Sequence, residues 1–154
     1  MYRQISPNKW SCLPTAFAQL LNIGIKELID FIGHDGSEII FPDDLRGDPY
    51  TRRSFNIQEI IDFVLQDGIY TVTEITEPLE SFNGGTLHIF DERPERIPHY
   101  MSMFSGVLLG MSQNDVPHAV TWHTQIAYDV NGMVYSVKDS FMSWFKPNTF
   151  YIVK

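Results

Sequence analysis

The sequence predicts an α+β fold in which N-terminal helices pack on an antiparallel sheet. Apolar residues recur with three-and-four spacing in three separate stretches up to residue 65. Beyond that point the pattern changes to strand alternation and short continuous apolar runs. Helices first and strands after is not the alternation that builds a parallel sheet. At 154 residues, 44% hydrophobic and 14% aromatic, the chain is expected to fold as one domain, residues 1–154, around a sizeable core.

The first helix starts at Cys12, with Ser11 as its expected N-cap and Pro14 tolerated in the first turn, where amides lack intrahelical partners. Ala16, Phe17, Leu20 and Leu21 form its apolar face, and Asn22-Ile23-Gly24 stops it. A second helix runs from Ile25 to Ile32 and closes at Gly33. Residues 34–55 are rich in Asp, Gly and Pro and read as a long surface loop, the kind of segment often used for binding. Asn56 and Glu59 have the spacing of a capping box for a third helix carrying Ile57, Ile60, Ile61, Val64 and Leu65 and ending at Gly68. Residues 69–75 alternate as a strand. In the ambiguous stretch 77–105, Leu87-His88-Ile89-Phe90 fits a short strand and Ile97 to Phe104 a short helix. Gly106 to Met111 reads as a central strand buried on both faces. Strands at 118–122, 125–128, 133–138 and 150–153 follow, with Asn131-Gly132 as a hairpin turn.

The net charge of −8, from 11 Lys and Arg against 19 Asp and Glu, argues against nucleic acid as a partner. One cysteine cannot form an internal disulfide, and neither a signal-peptide core nor an apolar run near membrane-spanning length is present. A cytoplasmic protein without a membrane partner is the expectation. The sequence does not speak to oligomeric state.

The one cysteine stands at the positive end of a helix dipole, where thiolate is favoured and a nucleophile would be placed. The plainer alternative is a small core residue, since free cysteine is often buried. A nucleophilic thiol needs a base in hydrogen-bond reach and a third group to orient that base. Of five histidines, His34, His88 and His99 suit solvated or structural roles, whereas His118 and His123 lie in or beside the strands. With His123-Thr124 as a two-residue turn, Trp122 pairs with Gln125, and His118 falls directly opposite Asp129. With Asn131-Gly132 as the turn, Val130 pairs with Met133, and Asp139 falls opposite Thr124, one step from His123. His118 with Asp129 is the favoured pair, because His118 opens a strand and its ring can point past the strand end toward a helix terminus. His123 with Asp139 is the alternative. Metal-ligand spacings such as Cys-x-x-Cys or His-x-x-x-His are missing, and neither a metal nor a cofactor is expected.

The helix start Cys12-Leu13-Pro14-Thr15-Ala16, followed about a hundred residues later by His118-Ala119-Val120 and Tyr128-Asp129, resembles the papain-like cysteine peptidases. The likeness is to small single-domain members, including the bacteriocin-processing group and compact bacterial and phage relatives. It covers both ends of the chain and leaves residues 34–105 unmatched. The resemblance implies a papain-like fold and a thiol hydrolase cleaving a peptide or isopeptide bond of a peptide or protein substrate. Cys12 would be the nucleophile, His118 the base and then acid, and Asp129 its orienting residue. The family's oxyanion glutamine lies about six residues before the cysteine, where this chain has Ser6; Gln4 is the nearest glutamine, and Asn8 is a possible substitute donor. Val137-Lys138-Asp139-Ser140-Phe141 also resembles the run around papain's asparagine, which keeps the His123 and Asp139 pair in play. An acyltransferase of the same architecture and a catalytically inactive papain-like binding module are the competing readings.

Overall fold

A computed structural model of the chain describes residues 1, 3–40, 51–77 and 96–154. Three helices open the fold: α1 (Cys12–Leu21), α2 (Ile25–Ile32) and α3 (Ile57–Leu65). Their ends have local causes. Asn22 takes the left-handed conformation (φ 60°) and turns its N–H back to the Ala18 and Gln19 carbonyls. Gly33 does the same for α2 at φ 90°, bonding the Ile29 carbonyl. The capping box of α3 is formed, with Asn56 accepting from the Gln58 amide and Glu59 accepting from the Asn56 amide.

Between α2 and α3, β1 (Ile39–Ile40) and β2 (Thr51–Arg52) pair as a small antiparallel arm. The expected 34–55 loop therefore carries a two-stranded element, too short to leave any periodicity, and residues 41–50 lie outside the described part. The remaining strands are β3 (Val72–Thr76), β4 (Gly106–Met111), β5 (Pro117–His123), β6 (Ile126–Asp129), β7 (Val134–Tyr135) and β8 (Lys146–Val153). They form one antiparallel sheet in the order β3-β8-β4-β5-β6-β7. Helices α4 (Arg96–Met101) and α5 (Lys138–Met142) and a 3-10 turn at Gln113–Asp115 complete the elements among the described residues. The expected strand at Leu87-Phe90 lies outside the described residues.

Strand alternation divides the core between the two faces of the sheet. Val107, Ala119 and Tyr151 pack with Ala16, Phe17, Leu28, Ile60 and Val64 of the first three helices. Leu108, Val120, Trp122, Phe150 and Ile152 pack with Ile97, Met101, Phe141 and Phe145 on the other side. The continuous apolar run of β4 thus serves both layers. Two glycines let β4 sit against β8. A Cβ on Gly110 would lie 2.7 Å from Pro147 Cα, at the bulge where the β4–β8 register shifts.

Both expected hairpin registers are corrected. The β5–β6 turn is Thr124-Gln125, with left-handed φ values of 49° and 62°, so His123 pairs with Ile126 and Val120 with Asp129. Asp129 accordingly lies opposite Val120, two residues along from His118. The β6–β7 loop has three residues, Val130 to Gly132, closed by Asp129 N–H to Met133 O at 2.9 Å with Gly132 at φ 92°. After Tyr135 the chain leaves the sheet and forms α5, so the expected strand over 133–138 is cut short.

Candidate functional site

The site lies at the end of the sheet where β5 begins and β6 ends. Cys12 is the first residue of α1, as its sequence predicts, but Ser11 does not cap with its side chain. Its hydroxyl instead donates to Asn8 Oδ1 at 2.6 Å. Pro14 has no N–H, so the first turn presents the Cys12 and Leu13 amides without a side-chain cap beside the thiol.

His118 Nε2 is 2.7 Å from Asp129 Oδ1. The register explains how. Residues two apart on a strand share a face, so shifting the pairing by two keeps His118 and Asp129 on the same side as diagonal neighbours. A shift of one would have sent the carboxylate to the opposite face. Asp129 is buried at 3% exposure, and the same Oδ1 also accepts the Val130 N–H at 2.7 Å. Nε2 is committed to Asp129, and the nearby Cys12 thiol acts on the same imidazole. Burial pushes His118 toward the neutral form, but the hydrogen bonds to Asp129 and Cys12 and the charges of both raise it from 6.5 to about 9. The same Asp129 charge, after burial, pushes the Tyr135 phenol upward. Trp144 and Phe145, each with its ring centroid 6.4 Å from that of His118, wall the imidazole on the α5 side.

The alternative pair is not brought together. His123 sits at the far end of β5 beside the Thr124-Gln125 turn, while Asp139 is exposed in the first turn of α5. That pairing required a strand through residue 139, and the helix replaces it. α5 covers only Lys138–Met142, too short to leave a periodic stripe in the sequence.

Gln4 is also placed elsewhere. Its side-chain amide donates to the Ile23 carbonyl, and its Oε1 accepts the Ile25 N–H at 2.5 Å, so it fastens the α1–α2 turn. That turn is a full helix length from Cys12, about 15 Å for ten residues, beyond reach of an oxyanion there. Asn8 does stand at the Cys12 end. Its Oδ1 accepts from Trp10 N–H and Ser11 Oγ, and its Nδ2 donates to the Asp35 carbonyl at 3.0 Å. One of its two Nδ2–H groups is thus committed to Asp35, while its oxygen shapes the approach to Cys12. Arg52 of β2 lies 4.8 Å over the Trp10 ring, which brings the small arm against this approach.

His34 is buried, Nε2 2.9 Å from Glu59 Oε1 and Nδ1 accepting the Gly36 N–H at 3.1 Å, a structural role. Among the described residues no group of three or more His, Cys, Asp or Glu is arranged to hold a metal ion. None of their helices is long and apolar enough to cross a membrane. Comparison with protein-family models, curated proteins and solved structures returned no match to this chain.

Proposed function

We propose that the chain is a papain-like thiol hydrolase that cleaves an amide bond of a peptide or protein through a Cys12 acyl-enzyme. The observation that carries this reading is the position of His118, hydrogen-bonded to buried Asp129 at 2.7 Å and close enough to Cys12 for the thiol to raise its pKa. At neutral pH the His118 imidazolium is favoured, and the nucleophile in the proposed reaction is the Cys12 thiolate paired with it. The thiolate attacks the amide carbonyl, and the oxyanion accepts a hydrogen bond from the Cys12 N–H at the uncapped helix start. His118 gives its proton to the leaving amine as the C–N bond breaks. It then takes a proton from water, which attacks the thioester and releases the acid and the thiolate. Asp129 holds the ring orientation throughout and stabilises its charge.

The placement of Gln4 away from Cys12 favours one competing reading, a papain-like module that binds a partner without turnover. An electrophilic thiol probe separates the two. The hydrolase reading requires rapid Cys12 labelling at neutral pH that is lost in His118→Ala. Equally slow labelling of both proteins would refute it.

A further inference from the structure

We infer that Gln19 and Thr121 form a positioning strut that sets Cys12 against His118, an inference that rests on the thiol-hydrolase reading above. Cys12, Ala16 and Gln19 fall at i, i+4 and i+7 and so share one stripe of α1. Two members of that stripe are tied to the sheet by directional bonds. Thr121 Oγ1 donates to the Ala16 carbonyl at 2.8 Å and accepts from Gln19 Nε2 at 3.0 Å. The same Nε2 lies 3.4 Å from the carbonyl of Tyr128, which pairs with Thr121 across β5 and β6. Gln19 Oε1 accepts the Gln4 N–H at 3.1 Å, completing the satisfaction of its amide.

The strut therefore joins the helix that carries the thiol to both strands that carry the other two site residues. Thr121 is three residues from His118, and Tyr128 is adjacent to Asp129. Around it the helix–sheet interface is built from small and apolar side chains, among them Ala16, Ala119 and Phe17. Apolar packing of that kind fixes separation but tolerates sliding and rotation about the helix axis. Gln19 and Thr121 are buried at 1% and 0% exposure, where an unmet hydrogen bond is costly, so their geometry selects one helix position. A helix slipped by one residue moves Cys12 about 1.5 Å and turns it about 100° away from His118. Neither residue touches the reacting atoms, and both act through the position of Cys12.

The test follows Cys12 alkylation by iodoacetamide against pH in the full chain. Wild type is expected to keep a reactive low-pH arm that His118→Ala lacks. Thr121→Val, which keeps shape and loses the hydroxyl, is expected to lower that arm about tenfold or more, while Thr121→Ser restores it. Gln19→Met is expected to behave like Thr121→Val and decides the matter if Thr121→Val does not fold. A folded variant of either kind with the wild-type profile overturns the strut. Failure of both variants to fold also overturns it, since the pair would then hold up the domain as a whole. A wild-type profile identical to that of His118→Ala instead sinks the hydrolase reading itself, whatever the Thr121 variants do.

Discussion

Replacing Asp129 with Asn keeps the side-chain shape and an oxygen able to accept from His118 while removing the charge. The rise of His118 from 6.5 to about 9 corresponds to roughly 3 kcal/mol of preference for the imidazolium in the folded state. That preference survives burial because Asp129 supplies a charged hydrogen bond at 2.7 Å, with Cys12 adding a second contribution. Charge-assisted hydrogen bonds are about twice as strong as neutral ones, so the change should cost about 1–1.5 kcal/mol of that preference. Asp129→Asn is therefore expected to lower the His118 titration by about one unit, toward pH 8. Imidazole ¹⁵N shifts followed through the titration read this directly. The sign for stability follows from the same shift. A group with a raised folded pKa contributes fully below its unfolded value near 6.5, and the contribution disappears as pH rises through about 9. Denaturant midpoints of wild type should thus fall over that window, and those of the variant should fall about one unit earlier. A His118 titration unchanged by Asp129→Asn would refute the account, because the carboxylate would then not be what holds the proton.

Two further substitutions separate site from scaffold. Gln4→Ala should leave the rate of Cys12 labelling within about twofold of wild type while lowering stability by about 1–2 kcal/mol, measured by urea unfolding, because two turn-closing hydrogen bonds are lost. A collapse of labelling in a folded Gln4→Ala protein would put the glutamine back at the oxyanion. Gly110→Ala should lower the unfolding free energy by about 1–3 kcal/mol, since its methyl meets Pro147 Cα at 2.7 Å in the bulge between β4 and β8. An unshifted urea midpoint would show that the bulge yields at no cost.

The parts of this molecule legible in its sequence are those written in periodicity. The stripes of α1, α2 and α3, the capping box at Asn56 and the doubly buried β4 all emerge from spacing alone. The elements that escaped are those whose determinants are not periodic. A turn at Thr124-Gln125 demands two non-glycine residues in the left-handed region, which no turn preference would select over His123-Thr124. The His118 and Asp129 pair could nevertheless be read, because the register error was two residues and strand faces repeat every two. The pair His123 and Asp139 failed for the opposite reason: it depended on the length of a strand that α5 terminates. Gln4 resembled a catalytic donor only by its distance along the chain, which says little about position once a loop intervenes. Gln19 was visible as a lone amide seven residues after Cys12 within an apolar stripe, a signal meaningful only once the facing Thr121 is known.

The place of β8 in the sheet has a consequence for the timing of folding during synthesis. β8 lies between β3 and β4, so the sheet that supports β5 and β6 stays split until residues 146–153 are free to pair. Cys12 leaves the ribosome roughly 130 residues before that strand, an interval of about 7–26 s at ordinary elongation rates. During that interval the nascent chain carries α1 without a completed sheet beneath it. Strand order thus delays closure of the sheet until β8 has emerged.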